Sequence, residues 1–357
     1  KDANFTKDKG KVFSCFACGG GSTMGYKLAG FDVIGCNEID PKMMAAYVAN
    51  HNPKYSYLEP IQTFKDRQDL PDELFHLDIL DGSPPCSSFS DAGNGKKDWG
   101  KEKKFREGQA VQVLDTLFFD FIDLAKRLQP KVVIAENVKG ILKGEARNYY
   151  RRVLAELDAA GYYAQAVLLD ASKMGVPQRR ERVFFIGLRK DLATPFLYQH
   201  DMFTVLPRID LKFSERGIPF GEIEEFGGVP IFDHPVPSIF NGWKTAKIGE
   251  KIMGRGIVSH GYKVHPKKVL NTMIASMSQS RQGPIHHTEF RMLTKSEVYS
   301  AGTFPQDYQC HDPYYFVGMS VPPVMTAQIA SRIWDQWLSK LFTGSEIFEA
   351  SKPPTLF

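Results

Sequence analysis

Apolar positions along the first 190 residues fall into short solid blocks separated by polar turns and by stretches with helical periodicity. Strands buried on both faces and joined by helices produce that alternation. Lys11–Phe16 reads as a strand. It runs into Ala17-Cys18-Gly19-Gly20-Gly21-Ser22 and a helix-patterned TMGYKLAG closed by Gly30. Phe31–Asn37 is a second strand ending in Glu38-Ile39-Asp40-Pro41, and Asp40 with Pro41 opens a helix to about Asn50. A third strand is expected near Pro60-Ile61, and a fourth, Leu77–Asp81, stops at Gly82. Gln109–Gln129 has helical spacing and is ended by Pro130; Lys131–Ala135 is β-branched and suits a buried parallel sheet. A helix to about Ala160 and two strands, Tyr162–Leu169 and Val183–Leu188, complete the pattern.

From Asp191 to Ile285 the periodicity fades and Gly, Pro and aromatic residues multiply, with basic residues gathered between Lys244 and Lys268. This texture predicts a smaller, irregular, β-rich domain whose loops suit recognition. Order returns at Glu289, with Thr294 capping a helix and a long amphipathic helix from Val317 to Phe342. The expected organisation is residues 1–190 and 286–357 in one α/β domain, a doubly wound and mostly parallel sheet, interrupted by 191–285.

Composition narrows the class. The chain has 357 residues, 43% apolar and 24% charged, which describes an ordinary globular protein with a large core. A net charge of +4 permits an anionic partner without demanding one. Five cysteines form no disulfide framework, so a reducing, cytoplasmic setting is expected. The opening KDANFTKDKGK is no secretory signal, and no apolar run approaches the roughly 20 residues of a membrane helix. The absence of an initial Met points to a trimmed or processed chain.

Chemistry concentrates at the ends of the strands. Leu77–Ser90, LDILDGSPPCSSFS, presents Cys86 after two prolines that stiffen its approach, while the small polar residues beyond leave the exit free to move. A lone cysteine is more often a structural one. Its neighbours raise the functional reading. The glycine turn after the first strand, followed by a helix and by Glu38 at the end of the second strand, fits a nucleotide-bearing cofactor, either a dinucleotide or S-adenosylmethionine. Cys15 and Cys18 have no second pair, so a zinc site is not expected. Between Lys96 and Arg106 six basic residues and two acids give a local charge of +4, suited to a polyanion or to a solvated loop. Glu136 ends an all-apolar strand, where a carboxylate needs a partner or a task. Arg179, Arg180 and Arg182 crowd one turn and suit phosphate, a base or core carboxylates.

Taken together these residues resemble the cytosine-C5 DNA methyltransferases over nearly the whole chain outside the irregular segment. Phe16 to Ser22 is similar to the family's F-x-G-x-G-G loop and Glu38 to its ribose-binding acid. Pro85-Cys86 matches its catalytic Pro-Cys, Glu136-Asn137-Val138 its Glu-Asn-Val, and Gln178, Arg180 and Arg182 its Q-x-R-x-R. Arg291, Leu293, Thr294 and Glu297 fit R-x-L-T-x-x-E, and Gly318 to Pro322 fits G-N-S-V-P. The chain departs from the family at Cys18 (usually Gly), Pro60 (often an adenine-binding Asp) and Met319 (usually Asn).

The resemblance implies the class I S-adenosylmethionine methyltransferase fold with a target-recognition domain at 191–285. It implies S-adenosylmethionine held by Phe16, Gly20, Gly21, Glu38, Ile39, Ile61, Pro85, Leu117, Ser320 and Val321. It implies catalysis by Cys86 as nucleophile on cytosine C6, Glu136 as donor to N3, and Arg182 on O2 with Arg180 beside it. No metal is implied. The partner implied is double-stranded DNA, bound by a monomer that flips out the target cytosine, with Ser87–Gly108 closing behind it. A cognate restriction endonuclease would act separately. Three other readings are open. An RNA-methylating relative is disfavoured by the long irregular segment and by the absent Cys-Phe-Thr signature. A catalytically silent DNA-binding relative would not need Cys86, Glu136 and Arg182 together. A nicotinamide dehydrogenase leaves Pro85-Cys86 without a task.

Overall fold

The computed structural model describes residues 4–85, 102–103, 112–113, 116–144, 146–202, 204–230, 239–252, 261–280 and 283–342. Seven strands form one sheet: β1 (Lys11–Cys15), β2 (Asp32–Glu38), β3 (Tyr55–Leu58), β4 (Ile79–Gly82), β5 (Val132–Val138), β6 (Tyr162–Asp170) and β7 (Glu181–Arg189). Their order is β3-β2-β1-β4-β5-β7-β6. The first five pair in parallel, and β7 runs antiparallel between β5 and β6.

Both faces of the sheet are covered, which is why its strands read as solid apolar blocks. Phe13, Leu80 and Val133 point into a layer built by α4 (Leu117–Leu128) and α5 (Ala146–Ala159), through Phe118, Phe121, Leu128, Val153 and Leu157. Their strand neighbours Val12, Ile79, Val132 and Ile134 point the other way. There α1 (Gly21–Leu28) supplies Tyr26, and the C-terminal segment supplies Met325, Ile329, Ile333 and Trp337. Further helices are α2 (Pro41–His51), α3 (Ile61–Asp66), α6 (Lys295–Gly302), α7 (Pro313–Met319) and α8 (Pro323–Ile333), with short helical segments also at Phe240–Thr245 and Ser276–Ser280.

Four expectations shift. The third strand lies at Tyr55–Leu58, because Pro60 cannot donate to a ladder and instead precedes α3. The helix expected from Gln109 starts at Leu117, and Gln112–Val113 pairs with Glu102–Lys103 in a short antiparallel ladder. The single terminal helix is two, because Pro322 and Pro323 interrupt the hydrogen-bond run and Pro323 takes the first position of α8. The texture change at 191 is no packing boundary: Leu192, Phe196, Ile209, Leu211 and Phe213 join the sheet's second layer, and Trp337 Nε1 donates to Arg208 O at 2.8 Å.

Beyond residue 215 the described strands are short, Tyr262–Lys263 beside Pro284–Ile285 being the longest pairing. Phe220, Tyr262, Leu270, Met273 and Met277 share a cluster with Leu293, Tyr299, Phe304 and Phe316, so this stretch rests on the C-terminal segment. Among the described residues no helix is long and apolar enough to cross a membrane.

An ionic network adds to this apolar joint. Thr294 and Glu297 form a reciprocal capping box at the start of α6. The fully buried Glu297 carboxylate also accepts from Arg291 Nη1 at 2.8 Å, from Nη2 at 3.0 Å and from Glu225 N at 3.0 Å. Glu297→Ala leaves the Arg291 charge without this partner and is expected to lower unfolding free energy by about 3–5 kcal/mol, read from the denaturant midpoint. A loss below about 1 kcal/mol, the range of solvent-screened pairs, would contradict this account.

Candidate active site

Strand order reverses between β1 and β4, so the chain leaves these neighbours toward opposite edges of the sheet and opens a crevice at their carboxyl ends. The turn leaving β1 is sharply bent. Phe16 and Cys18 have φ of +50° and Gly20 of +93°, the left-handed region. Cys18, where the family usually has glycine, therefore carries a conformation costing about 1–3 kcal/mol for a residue with a Cβ. The Cys18 N–H donates to Glu38 Oε2 at 2.7 Å, which offsets part of that cost. Gly21 is required by proximity: a Cβ there would meet Val321 O at 2.5 Å and Ser320 Cβ at 2.9 Å.

Glu38 ends β2 and organises the corner opposite. Its carboxylate accepts the N–H groups of Cys18, Ile39 and Asp40 at 2.7–2.8 Å. Burial pushes its pKa up, and the three amides oppose that by favouring the anion. Burial first and Glu38 second push the Cys18 thiol up to about 12, so it stands as a neutral thiol. Beneath the turn, His51 Nε2 lies 2.7 Å from Tyr308 Oη and 3.1 Å from Gly20 O, and the Tyr308 hydroxyl donates to Gly19 O at 2.6 Å.

A cavity of about 140 Å³ opens above this turn. Nine of the ten residues expected to hold a cofactor line it: Phe16, Gly21, Glu38, Ile39, Ile61, Pro85, Leu117, Ser320 and Val321. Gly20 lies below, in the turn. The pattern of motifs did not single out Asp40, Met43, Glu59 or Tyr315, which also line it. Glu59 stands one residue before Pro60, and its Oε1 accepts from Arg67 Nη1 at 3.0 Å. Apolar walls at Phe16, Ile61 and Leu117, with acceptor carboxylates at Glu38 and Glu59, fit a group with a flat apolar ring and hydroxyl or amine donors.

On the other side of the crevice Gly82 of β4 pairs with Ala135 of β5, so Ser83 and Glu136 leave these positions side by side. Arg182 of β7 reaches Glu136 from the neighbouring strand, Nε to Oε1 at 2.7 Å, with both side chains largely buried. Asn137 Nδ2 donates to Pro84 O at 3.3 Å and its Oδ1 accepts from Val138 N at 2.8 Å, which fixes the prolines relative to β5. Cys86 and the basic loop to Gly108 lie outside the described residues, apart from the backbone pairing at Glu102–Lys103. The described chain brings the cavity to Pro85, one residue short of Cys86.

Arg180 takes a different place from the one the resemblance assigns. It is 1% exposed, and its Nη1 and Nη2 donate to Met273 O and Gly318 O at 3.1 and 3.0 Å. Asp81 is a buried acid that no motif predicted. It accepts from Ser14 Oγ and Ser22 Oγ at 2.8 Å and from the Tyr26 hydroxyl at 3.0 Å, and burial pushes its pKa up to about 6. Among the described residues Glu224, His286 and His287 also converge. His286 Nδ1 accepts from Glu289 N at 3.1 Å, so its proton sits on Nε2, 2.7 Å from Glu224 Oε1, and no lone pair there is free for a cation.

Comparison with known proteins is consistent with this geometry. Residues 10–215 match the family model for C-5 cytosine-specific DNA methylases. The chain is 37% identical over 193 residues to the type II methyltransferase M.NgoPII of Neisseria gonorrhoeae, covering 53% of this chain and 50% of that protein. It is 26% identical over 382 residues to the type II methyltransferase M.DdeI of Desulfomicrobium norvegicum, covering 90% and 88%. The chain thus spans about half the length of the first of these relatives. A solved structure of a Spodoptera frugiperda DNMT2 variant shares the fold, with a TM-score of 0.62 at 18% identity, over 91% of this chain and 99% of that one.

Asp81 gives the site a pH signature. Its folded pKa of about 6 lies above the roughly 3.9 of an unfolded Asp, so between those values the folded protein holds the extra proton. This group's contribution to stability therefore falls as pH rises from about 4 to about 6 and is constant above that. Asp81→Asn is expected to remove that slope when denaturant midpoints are compared with wild type across pH 4 to 7. An identical slope in both proteins would remove Asp81 as its source.

Proposed function

The chain belongs to the family of C-5 cytosine-specific DNA methylases, and from that premise we propose that it methylates C5 of cytosine in a short duplex DNA sequence, with S-adenosylmethionine as methyl donor. The supporting observation is the Glu136–Arg182 pair, which flanks the strand end carrying Pro84 and Pro85 beside a cavity shaped for an adenosyl group.

Cytosine C5 is a poor nucleophile. Addition of the Cys86 thiolate to C6 breaks the C5–C6 double bond, and the electron pair moves toward N3 and O2, leaving an enamine nucleophilic at C5. In this reading Arg182 offers its guanidinium to O2 as it gains charge, and the 2.7 Å contact to Glu136 keeps the two groups together. In the same reading Glu136 is the general-acid partner of N3 as charge builds there. S-adenosylmethionine, when bound, would supply the sulfonium methyl that C5 takes, the S–CH3 electron pair staying on sulfur as the donor becomes the neutral thioether. A base then takes the C5 proton, and the electron pair returns to form C5–C6 as the Cys86 sulfur leaves.

Glu38 faces the cavity to accept the ribose hydroxyls, as its family position implies. Glu59 supplies, from the adjacent position, the carboxylate for the adenine amine that Pro60 cannot provide. The target carbon is stacked inside the duplex, so the base is flipped out at a cost of a few kcal/mol. Residues 216–285 read the sequence, and the basic loop after Cys86 closes behind the flipped base. The reaction is intracellular, where duplex DNA is, and one chain suffices for it.

The reading is tested by transfer of labelled methyl from S-adenosylmethionine to duplex DNA of mixed sequence, with base-resolution mapping of 5-methylcytosine. Label at one short motif is expected. Label in RNA and none in DNA would overturn it. In the same assay Cys86→Ala is expected to abolish transfer with DNA binding retained, and measurable turnover would remove Cys86 as nucleophile. Glu136→Gln keeps the contact shape but carries no transferable proton; it is expected to slow transfer by about 10²–10⁴-fold with donor affinity held. Wild-type turnover would refute the acid role.

A further inference from the structure

Gln178 and Arg180 are among the most buried polar residues in the chain, at 0% and 1% exposure, and the chemistry above uses neither. Both are spent on backbone. Gln178 Oε1 accepts from Met273 N at 2.9 Å, and Arg180 Nη1 donates to Met273 O at 3.1 Å, so one residue is held by both of its peptide groups. The remaining arms point elsewhere. Gln178 Nε2 donates to Ala301 O at 3.1 Å, and Arg180 Nη2 donates to Gly318 O at 3.0 Å. Arg179 N to Leu270 O at 2.8 Å and Thr272 Oγ1 to Arg179 O at 2.6 Å extend the seam.

Gly318 is pressed against the same segment: a Cβ there would stand 2.3 Å from Ala275 N and 2.5 Å from Ile274 C. Immediately after Gly318 come Met319, Ser320 and Val321, which line the donor cavity. A single guanidinium therefore joins the cavity wall to residues 270–277, a part of the irregular stretch hydrogen-bonded to Gln178, Arg179 and Arg180. Among the described residues no carboxylate pairs with Arg180, and its buried Nε has no acceptor. A cation so poorly compensated is held only while both carbonyls stay in place.

We propose that Gln178 and Arg180 are positioning residues that couple the donor cavity to the 270–277 segment, so that donor binding orders the recognition stretch and DNA binding in turn tightens the donor. This rests on the function proposed above. Coupling of this kind is reciprocal and amounts to a shift in the equilibrium of the shared element.

Amide hydrogen exchange on the full chain tests it, with S-adenosylhomocysteine as the probe. The probe is expected to slow exchange at segments 16–22 and 317–321, which it touches, and also at 270–277, which it does not, by a factor on the order of 5–150. Arg180→Lys keeps the charge but cannot span both carbonyls; it is expected to reduce the effect at 270–277 to within about twofold while protection at 16–22 persists. Protection confined to the cavity segments in wild type, or undiminished at 270–277 in Arg180→Lys, would overturn the coupling. An absence of protection at 16–22 and 317–321 would overturn the donor reading, and the coupling with it.

Discussion

The site depends first on a buried carboxylate that stands outside the cavity lining. Asp81 sits on β4 where the sheet order reverses, and its three hydroxyl donors come from β1 and α1. A bare carboxylate at 4% exposure is costly, and the hydroxyls of Ser14, Ser22 and Tyr26 make it tolerable. In return the carboxylate locks three elements together at the crevice. Ser22 lines the cavity, while Asp81 precedes the prolines leading to Cys86 by three residues. The two halves of the site are thus referred to one point. Its position beside Glu136 adds to the rise in its pKa, so the acid that fixes the frame also senses the charge of the acid beside it.

From that point outward the chain builds rigidity with short-range devices. Three left-handed residues bend the β1 turn, Glu38 gathers three amides, and His51 and Tyr308 hold the glycine carbonyls from below. Burial lowers the His51 pKa to about 3, so the ring stays neutral across the working range and the support does not change with pH. On the other side Asn137 ties Pro84 to β5, so the approach to Cys86 is stiff before the chain enters the basic loop. A frame fixed within fractions of an ångström is what positional catalysis asks for.

Much of this was legible in the chain because burial writes simple patterns. Strands covered on both faces are solid blocks, and the strand, glycine turn, helix and acid series located the cavity to within its lining residues. What was hidden depends on direction rather than identity. Arg180 and Arg182, two apart, would share a face of an extended strand. Yet β7 begins at Glu181, so only Arg182 is held in the ladder beside Glu136, and Arg180 turns into the core. The helical spacing after Gln109 runs through Gln112–Val113, which pair as a strand, because periodicity marks a face and carries no start signal there. Asp81 left no trace because its three partners lie 55 to 67 residues away.

The placement of Arg180 also bears on how such an enzyme divides its labour. An arginine in contact with substrate charge is screened and exchangeable, whereas one sealed among carbonyls has a single geometry available to it. Lysine could neutralise charge in the first setting but could not bridge two carbonyls in the second, since only the planar fork presents donors in fixed directions. The two arginines of one motif thus perform opposite tasks with the same group. Arg182 pairs with Glu136 at the end of β5, where the function proposed above needs a cation. Arg180, behind it, ties the carbonyls of Met273 and Gly318 together.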